Sequence, residues 1–200
     1  MRKWFGPSRD EIWRQLSEEV GGRYVKGGFR RNARVEVTHG EWTVTLDTYA
    51  VSTGKTTVVY TRMRAPYVNP DGFRFTIYRR GMFSDIGKFF GMQDVEVADP
   101  AFDRDFIVKG TDEGRLRSLF SSPRLRELLR HQPSIHLSVR DDEGWFGARF
   151  PDGVDMLTFV VTGVIKDIDR LKALFELFAA TLDELCRIGA AYGRDPEVML

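Results

Sequence analysis

The chain has 200 residues, 42% hydrophobic and 30% charged, with 30 lysines and arginines against 29 aspartates and glutamates. That hydrophobic share is enough for a packed core and argues against disorder, while the near-zero net charge argues against a dedicated nucleic-acid binder, whose affinity rests on basic excess. A single cysteine, Cys186, excludes an intramolecular disulfide, and no run approaches the roughly 18 apolar residues of a membrane span. No apolar leader follows Met1-Arg2-Lys3-Trp4, so the expectation is one cytoplasmic domain over residues 1–200.

The first helix is expected over residues 9–20. Ser8 and Glu11 form a capping-box pattern, Ile12, Trp13, Leu16 and Val20 recur at helical spacing, and Gly21-Gly22 stops the run. The period then changes to two. Apolar residues alternate in Arg34–Thr38, in Trp42–Asp47, in Thr56–Arg64 and again from Phe73 to Tyr78. His39-Gly40, Ser52-Thr53-Gly54 and Asn69-Pro70-Asp71-Gly72 mark the turns of this antiparallel meander.

Residues 81–105 read as either a short helix or a packed loop. Met82, Phe83, Ile86, Phe89, Phe90 and Met92 lie among glycines, and an acidic run from Asp94 to Asp105 follows. Phe106-Ile107-Val108 is a short strand. A helix capped by Thr111 carries Leu116, Leu119 and Phe120, and a second, begun by Ser122-Pro123, carries Leu125, Leu128 and Leu129. Ile135–Arg140 is a strand that turns at Asp141-Asp142-Glu143-Gly144 into a return strand through Trp145, Phe146 and Phe150. Pro151-Asp152-Gly153 turns again into a strand over Met156–Ile165. A long helix from about Asp167 to Tyr192 closes the chain, with one apolar stripe through Ile168, Leu171, Leu174, Phe175, Phe178, Leu182 and Leu185.

Strands are grouped, not alternated with helices, which specifies α+β over a doubly wound fold. The expected architecture is an N-terminal helix, an antiparallel curved sheet, two short middle helices and a long C-terminal helix packed on the sheet.

Catalytic signatures are missing. Gly54-Lys55-Thr56 matches the end of a phosphate-binding loop, but Tyr49 stands where the motif needs glycine, and strands flank it where a helix should follow; it reads as a hairpin turn. His39, His131, His136 and Cys186 show no metal-ligand spacing, so no metal or cofactor is called for, and the three histidines read as turn, helix-end and exposed strand residues. The acidic run lacks the pattern of a calcium loop and reads as solvated and helix-capping.

The feature closest to a site is basic and aromatic. With Phe73, Phe75 and Ile77 in the core, Arg74, Tyr78 and Arg80 share the opposite face, and Tyr60, Arg62 and Arg64 are in phase on the neighbouring strand. Arg62, Arg64, Arg74, Tyr78 and Arg80 are therefore the candidate binding residues, for phosphate, a stacked base or anionic lipid. The competing reading is a solvent-facing sheet with cross-strand pairs to Glu36, Glu41 and Asp47.

Gly91–Val108, with its F-D-x-x-F-x-V segment Phe102-Asp103-Arg104-Asp105-Phe106-Ile107-Val108, followed by leucine-rich helices, a strand pair and a C-terminal helix, resembles an uncharacterised group of bacterial proteins. The resemblance implies a bacterial origin and a fold unit, and transfers no catalytic residue. In that segment Phe102 and Phe106 are expected in the core, with Asp103 capping locally or pairing with Arg104 or a nearby arginine.

Two functions follow as expectations. The first is a non-catalytic module that binds a protein partner or itself. The alternative is a small-molecule, lipid or nucleotide-binding protein with a pocket between the sheet and the C-terminal helix. An enzyme is the weakest reading, because no nucleophile, base and orienting group can be named together.

Overall fold

The computed structural model describes residues 7–28, 32–52, 54–81, 93–141, 150–198 and 200. In chain order the elements are α1 (Arg9–Glu19), β1 (Arg23–Val25), β2 (Arg34–His39), β3 (Trp42–Ser52), β4 (Thr57–Val68), β5 (Phe75–Arg79), β6 (Gln93–Asp94), α2 (Pro100–Asp105), β7 (Phe106–Gly110), α3 (Glu113–Leu119), α4 (Pro123–Arg130), β8 (His136–Arg140), β9 (Val154–Thr162) and α5 (Ile168–Arg187).

Local sequence sets the helix ends. Ser8 and Glu11 close a reciprocal capping box at α1. At its other end Gly21 takes φ 64°, a left-handed conformation suited to glycine, and Gly22 N donates to Ser17 O at 2.7 Å. The same device ends α5. Gly189 has φ 71°, Ala190 N donates to Leu185 O at 2.8 Å and Gly189 N to Cys186 O at 3.0 Å. That motif stops α5 at Arg187, five residues short of Tyr192, because the carbonyls of its last turn are already satisfied. Two more boundaries differ from expectation. Asp112, not Thr111, caps α3, since the Thr111 hydroxyl instead accepts from Arg74 N. Asp99-Pro100 starts α2, a short helix inside what the sequence presents as an acidic loop.

Among the described residues nine strands form one antiparallel sheet in the order β1-β2-β3-β4-β9-β8-β5-β7-β6. The meander β1 to β4 is sequential, whereas β9 inserts between β4 and β8, so the chain's last strand joins the two halves. β4 runs to Val68, through Pro66, where the sequence expects it to stop at Arg64. Pairing with β3 ends at Thr45–Arg64, so at Pro66 the β3 side of β4 has no strand partner and a residue without an N–H is tolerated. The segment Met82–Met92 and the return strand through Trp145 and Phe146 lie outside the described residues.

The core occupies one face of the sheet. Leu46, Met63, Ala65, Ile77, Leu137, Leu157 and Phe159 from the strands meet Leu171, Leu174, Phe178, Leu182 and Leu185 of α5, all of them inaccessible to solvent. α1 and α4 flank α5. Trp13 donates its indole N–H to Ile165 O at 3.3 Å, tying α1 to the chain entering α5, and Arg170 of α5 bonds the oxygens of Ser134 before β8. Phe102 and Phe106 are buried as expected, with ring centroids 4.6 Å apart. The Asp103 carboxylate accepts from Val97 N at 2.9 Å, outside its own helix, while its carbonyl accepts from the nearby Arg80 at 3.1 Å.

Phe106→Ala opens a cavity beneath Phe102 and Arg79, whose guanidinium lies 4.9 Å from the Phe106 ring centre. We expect a loss of about 3 kcal/mol or more, read from the shift of the urea unfolding midpoint; an unshifted curve would contradict this core placement.

Candidate functional site

Strand register turns the second face of the sheet into a polar surface. Directly paired residues point the same way, so Arg23, Glu36, Thr45, Arg64, Thr158, Ser138, Thr76, Lys109 and Asp94 form one row that crosses all nine strands. Every member is polar or charged. Thr45, Arg64, Thr158, Ser138 and Thr76 are nonetheless buried, so this face is not the open solvated surface the sequence leaves as one reading.

Toward β1 the polar face is built from two carboxylates, each holding two guanidinium groups. Asp47 Oδ1 accepts from Arg62 Nε at 2.9 Å, and its Oδ2 accepts from Arg62 at 2.8 Å and Arg64 at 2.7 Å. Glu36 accepts from Arg34 Nε at 2.6 Å through one oxygen and from Arg23 through the other. Burial works against the charged Glu36, but the hydrogen bonds from Arg23 and Arg34 outweigh it and hold its carboxyl below the usual range. Charge-assisted pairs of this kind fix guanidinium planes in place. Arg62 also lies over the Tyr49 ring, 5.0 Å from its centre, and Tyr49 stacks on Tyr60 at 5.1 Å.

The five residues named from the sequence divide. Arg62 and Arg64 are brought together on Asp47. Arg74 sits at the end of β5 and pairs with Asp141 at 2.9 Å and Asp155 at 3.4 Å; burial disfavours its charge, but the two carboxylates outweigh that and raise its pKa. Tyr78 lies farther along the sheet, its ring edge-on to His136. Arg80 is turned toward α2, donating to Asp103 O at 3.1 Å. Arg23, Arg34, Glu36 and Asp47 complete the two clusters. Glu36 and Asp47 were legible as cross-strand partners; Arg34 is in phase with Glu36 on β2, while Arg23 was not legible, because the β1–β2 pairing that places it carries a weak strand signal.

A cleft of about 260 Å³ opens beside these pairs, lined by Arg23, Arg34, Glu36, Thr43, Thr45, Pro66, Val198 and Leu200. The residues after α5 form its far wall. Tyr192 N donates to Val68 O at 3.1 Å, which leads the chain off the end of β4 and back across the polar face. The cleft therefore has a charged floor and an apolar wall, and it lies on the opposite face of the sheet from α5, where the sequence places the pocket and where buried strand and helix side chains pack together.

The histidines do not converge. His39 contacts Asp183 of α5 at 2.8 Å, His131 caps α4, and His136, expected on an exposed position, is partly buried within β8. Among the described residues no group of three or more His, Cys, Asp or Glu is placed to hold a metal ion, and no helix is long and apolar enough to cross a membrane.

The fold has a solved counterpart. The crystal structure of the mycobacterial trehalose monomycolate transport factor A, TtfA, matches with a TM-score of 0.54 over 90% of this chain and 95% of that chain. Identity across the match is 8%, so the likeness is one of fold. No family model matches the sequence, and no curated protein matches it.

Two measurements probe this face. Asp47→Ala removes the carboxylate shared by Arg62 and Arg64, and should cost about 2 kcal/mol or more in urea unfolding, part of it recovered by adding Arg64→Met. His136 has its pKa lowered from 6.5 to about 4, by burial first and by Arg140 second. The unfolded chain then binds the proton more readily than the folded one. Stability should be full above about pH 6.5 and fall as the pH drops toward 4, by up to about 3 kcal/mol. His136→Gln should flatten that slope, and an unchanged slope would assign it to other groups.

Proposed function

We propose that this protein is a non-catalytic binding protein whose ligand is an amphiphile, an apolar chain joined to an anionic head, taken at the cleft between the polar sheet face and the residues after α5. The observation that supports this is the pairing, within one cleft, of the Arg23 and Arg34 guanidinium groups with the apolar wall of Pro66, Val198 and Leu200. Glu36 orients both arginines, and two cations against one carboxylate leave the floor suited to an anion. The volume is just under the roughly 300–1,000 Å³ of small-molecule pockets, so it suits one end of a ligand. Arg62 and Arg64 flank this floor through the Thr45–Arg64 pair and belong to the proposed site; Arg74 and Arg80 are engaged at the sheet ends. The structural neighbour, named for the transport of a lipid, fits the same class of ligand, and its mycobacterial source fits the bacterial origin the sequence resemblance implies.

Native mass spectrometry tests the reading. After incubation with a long-chain fatty acid or an anionic lysophospholipid, the folded protein should carry a one-to-one adduct, and Arg34→Ala should weaken it about ten-fold. Equal retention by Arg34→Ala, or no adduct with either amphiphile, would overturn the proposal and favour the protein-interaction reading.

A further inference from the structure

The two longest strands outrun their neighbours. β2 pairs with β3 only as far as Leu46, and β9 pairs with β4 only from Thr61, yet β3 and β4 stay paired through Ser52–Thr57. Residues 49–52 and 57–60 thus form a two-stranded arm beyond the body of the sheet. Gly163, bonded to Val59 O at 2.7 Å, supports its base.

The arm's composition is unusual for a surface in water. Val51 is 45% exposed, Val59 38% and the adjacent Val164 36%, and Tyr49 and Tyr60 stack at the base. Edge strands are normally blunted by charge or proline. Here the sequence from Thr48 to Pro70 contains no acidic residue, and Lys55 lies in the turn. The bordering acids are committed: Asp47 to Arg62 and Arg64, and Asp167 to capping α5. Lys166 adds a second exposed cation beside Val164. Exposed valines, stacked tyrosine rings, and lysines that form no ion pair among the described residues are the chemistry of a segment that rests in the head-group layer of an anionic bilayer.

We infer that the β3–β4 arm docks the protein on an anionic membrane surface by entering the head-group layer end-on, so that Val51 and Val59, on its opposite faces, are both buried among the head groups with Lys55 on the lipid phosphates. This surface is separate from the cleft, and the inference stands whether or not the cleft takes an amphiphile.

Co-sedimentation with vesicles of phosphatidylcholine containing about one-third phosphatidylglycerol tests it. The wild-type chain should sediment with these vesicles and much less with pure phosphatidylcholine. The double variant Val51→Asp, Val59→Asp should lose about ten-fold or more of the bound fraction with its melting temperature kept, since both side chains are exposed. Lys55→Glu should lose less and make the remainder insensitive to salt. Arg34→Ala, which disables the cleft, should sediment as wild type. Failure of the wild type to bind anionic vesicles, or full binding by the double variant, would overturn the inference. So would a wild-type dimer in sedimentation velocity that the double variant dissolves without any vesicle binding, which would make the arm a self-pairing edge.

Discussion

The apolar stripe of α5 is the constraint around which the molecule is arranged. Leu171, Leu174, Phe178, Leu182 and Leu185 need an apolar surface wide enough to cover them, and neither half of the sheet supplies it alone. β4 contributes Met63 and Ala65, β5 contributes Ile77, and β9, inserted between β4 and β8, contributes Leu157 and Phe159, which completes the surface. Burying a stripe of this kind is the dominant favourable term in folding. It therefore commits one face of the central strands to the core and, by the two-residue period, assigns the alternate residues to the other face.

That second face is where chemistry accumulates. Because each strand places a polar residue at the same register position, antiparallel pairing gathers them into a row, and burial makes the row demanding: each charge there needs a partner. Asp47 between Arg62 and Arg64, and Glu36 between Arg23 and Arg34, meet that demand. The same pairs orient guanidinium groups at the edge of a cleft whose other wall is apolar. The features read as functional thus follow from how the sheet satisfies its buried charges, and the β3–β4 arm lies where that demand ends, past the last neighbouring strand.

Much of this was legible locally, and the exceptions share a cause. Ser8 with Glu11, Ser122 with Pro123 and the alternation in β2 to β5 carry their structure in short-range rules. Asp99-Pro100 carried an equally local signal for α2, but it lay inside an acidic run that reads as solvated loop. β1 has three residues and no alternation to detect. Tyr192 reads as part of the α5 helix until Gly189 is seen to end it with a closed hydrogen-bond motif.

By itself the sequence determined the class of fold, most helix caps and turns, and the identity of the core, because periodicity, capping and glycine conformation are properties of neighbouring residues. It also placed Arg62, Arg64 and Tyr60 in phase. Only the tertiary structure decided that β9 bridges the two halves of the sheet, that Arg23 and Arg34 share Glu36, that Arg74 and Arg80 turn to other partners, and that the residues after α5 wall a cleft on the polar face. Each of these joins strands or segments distant in the chain, and their pairing is selected by the area buried in the assembled core, a quantity no local stretch of sequence contains.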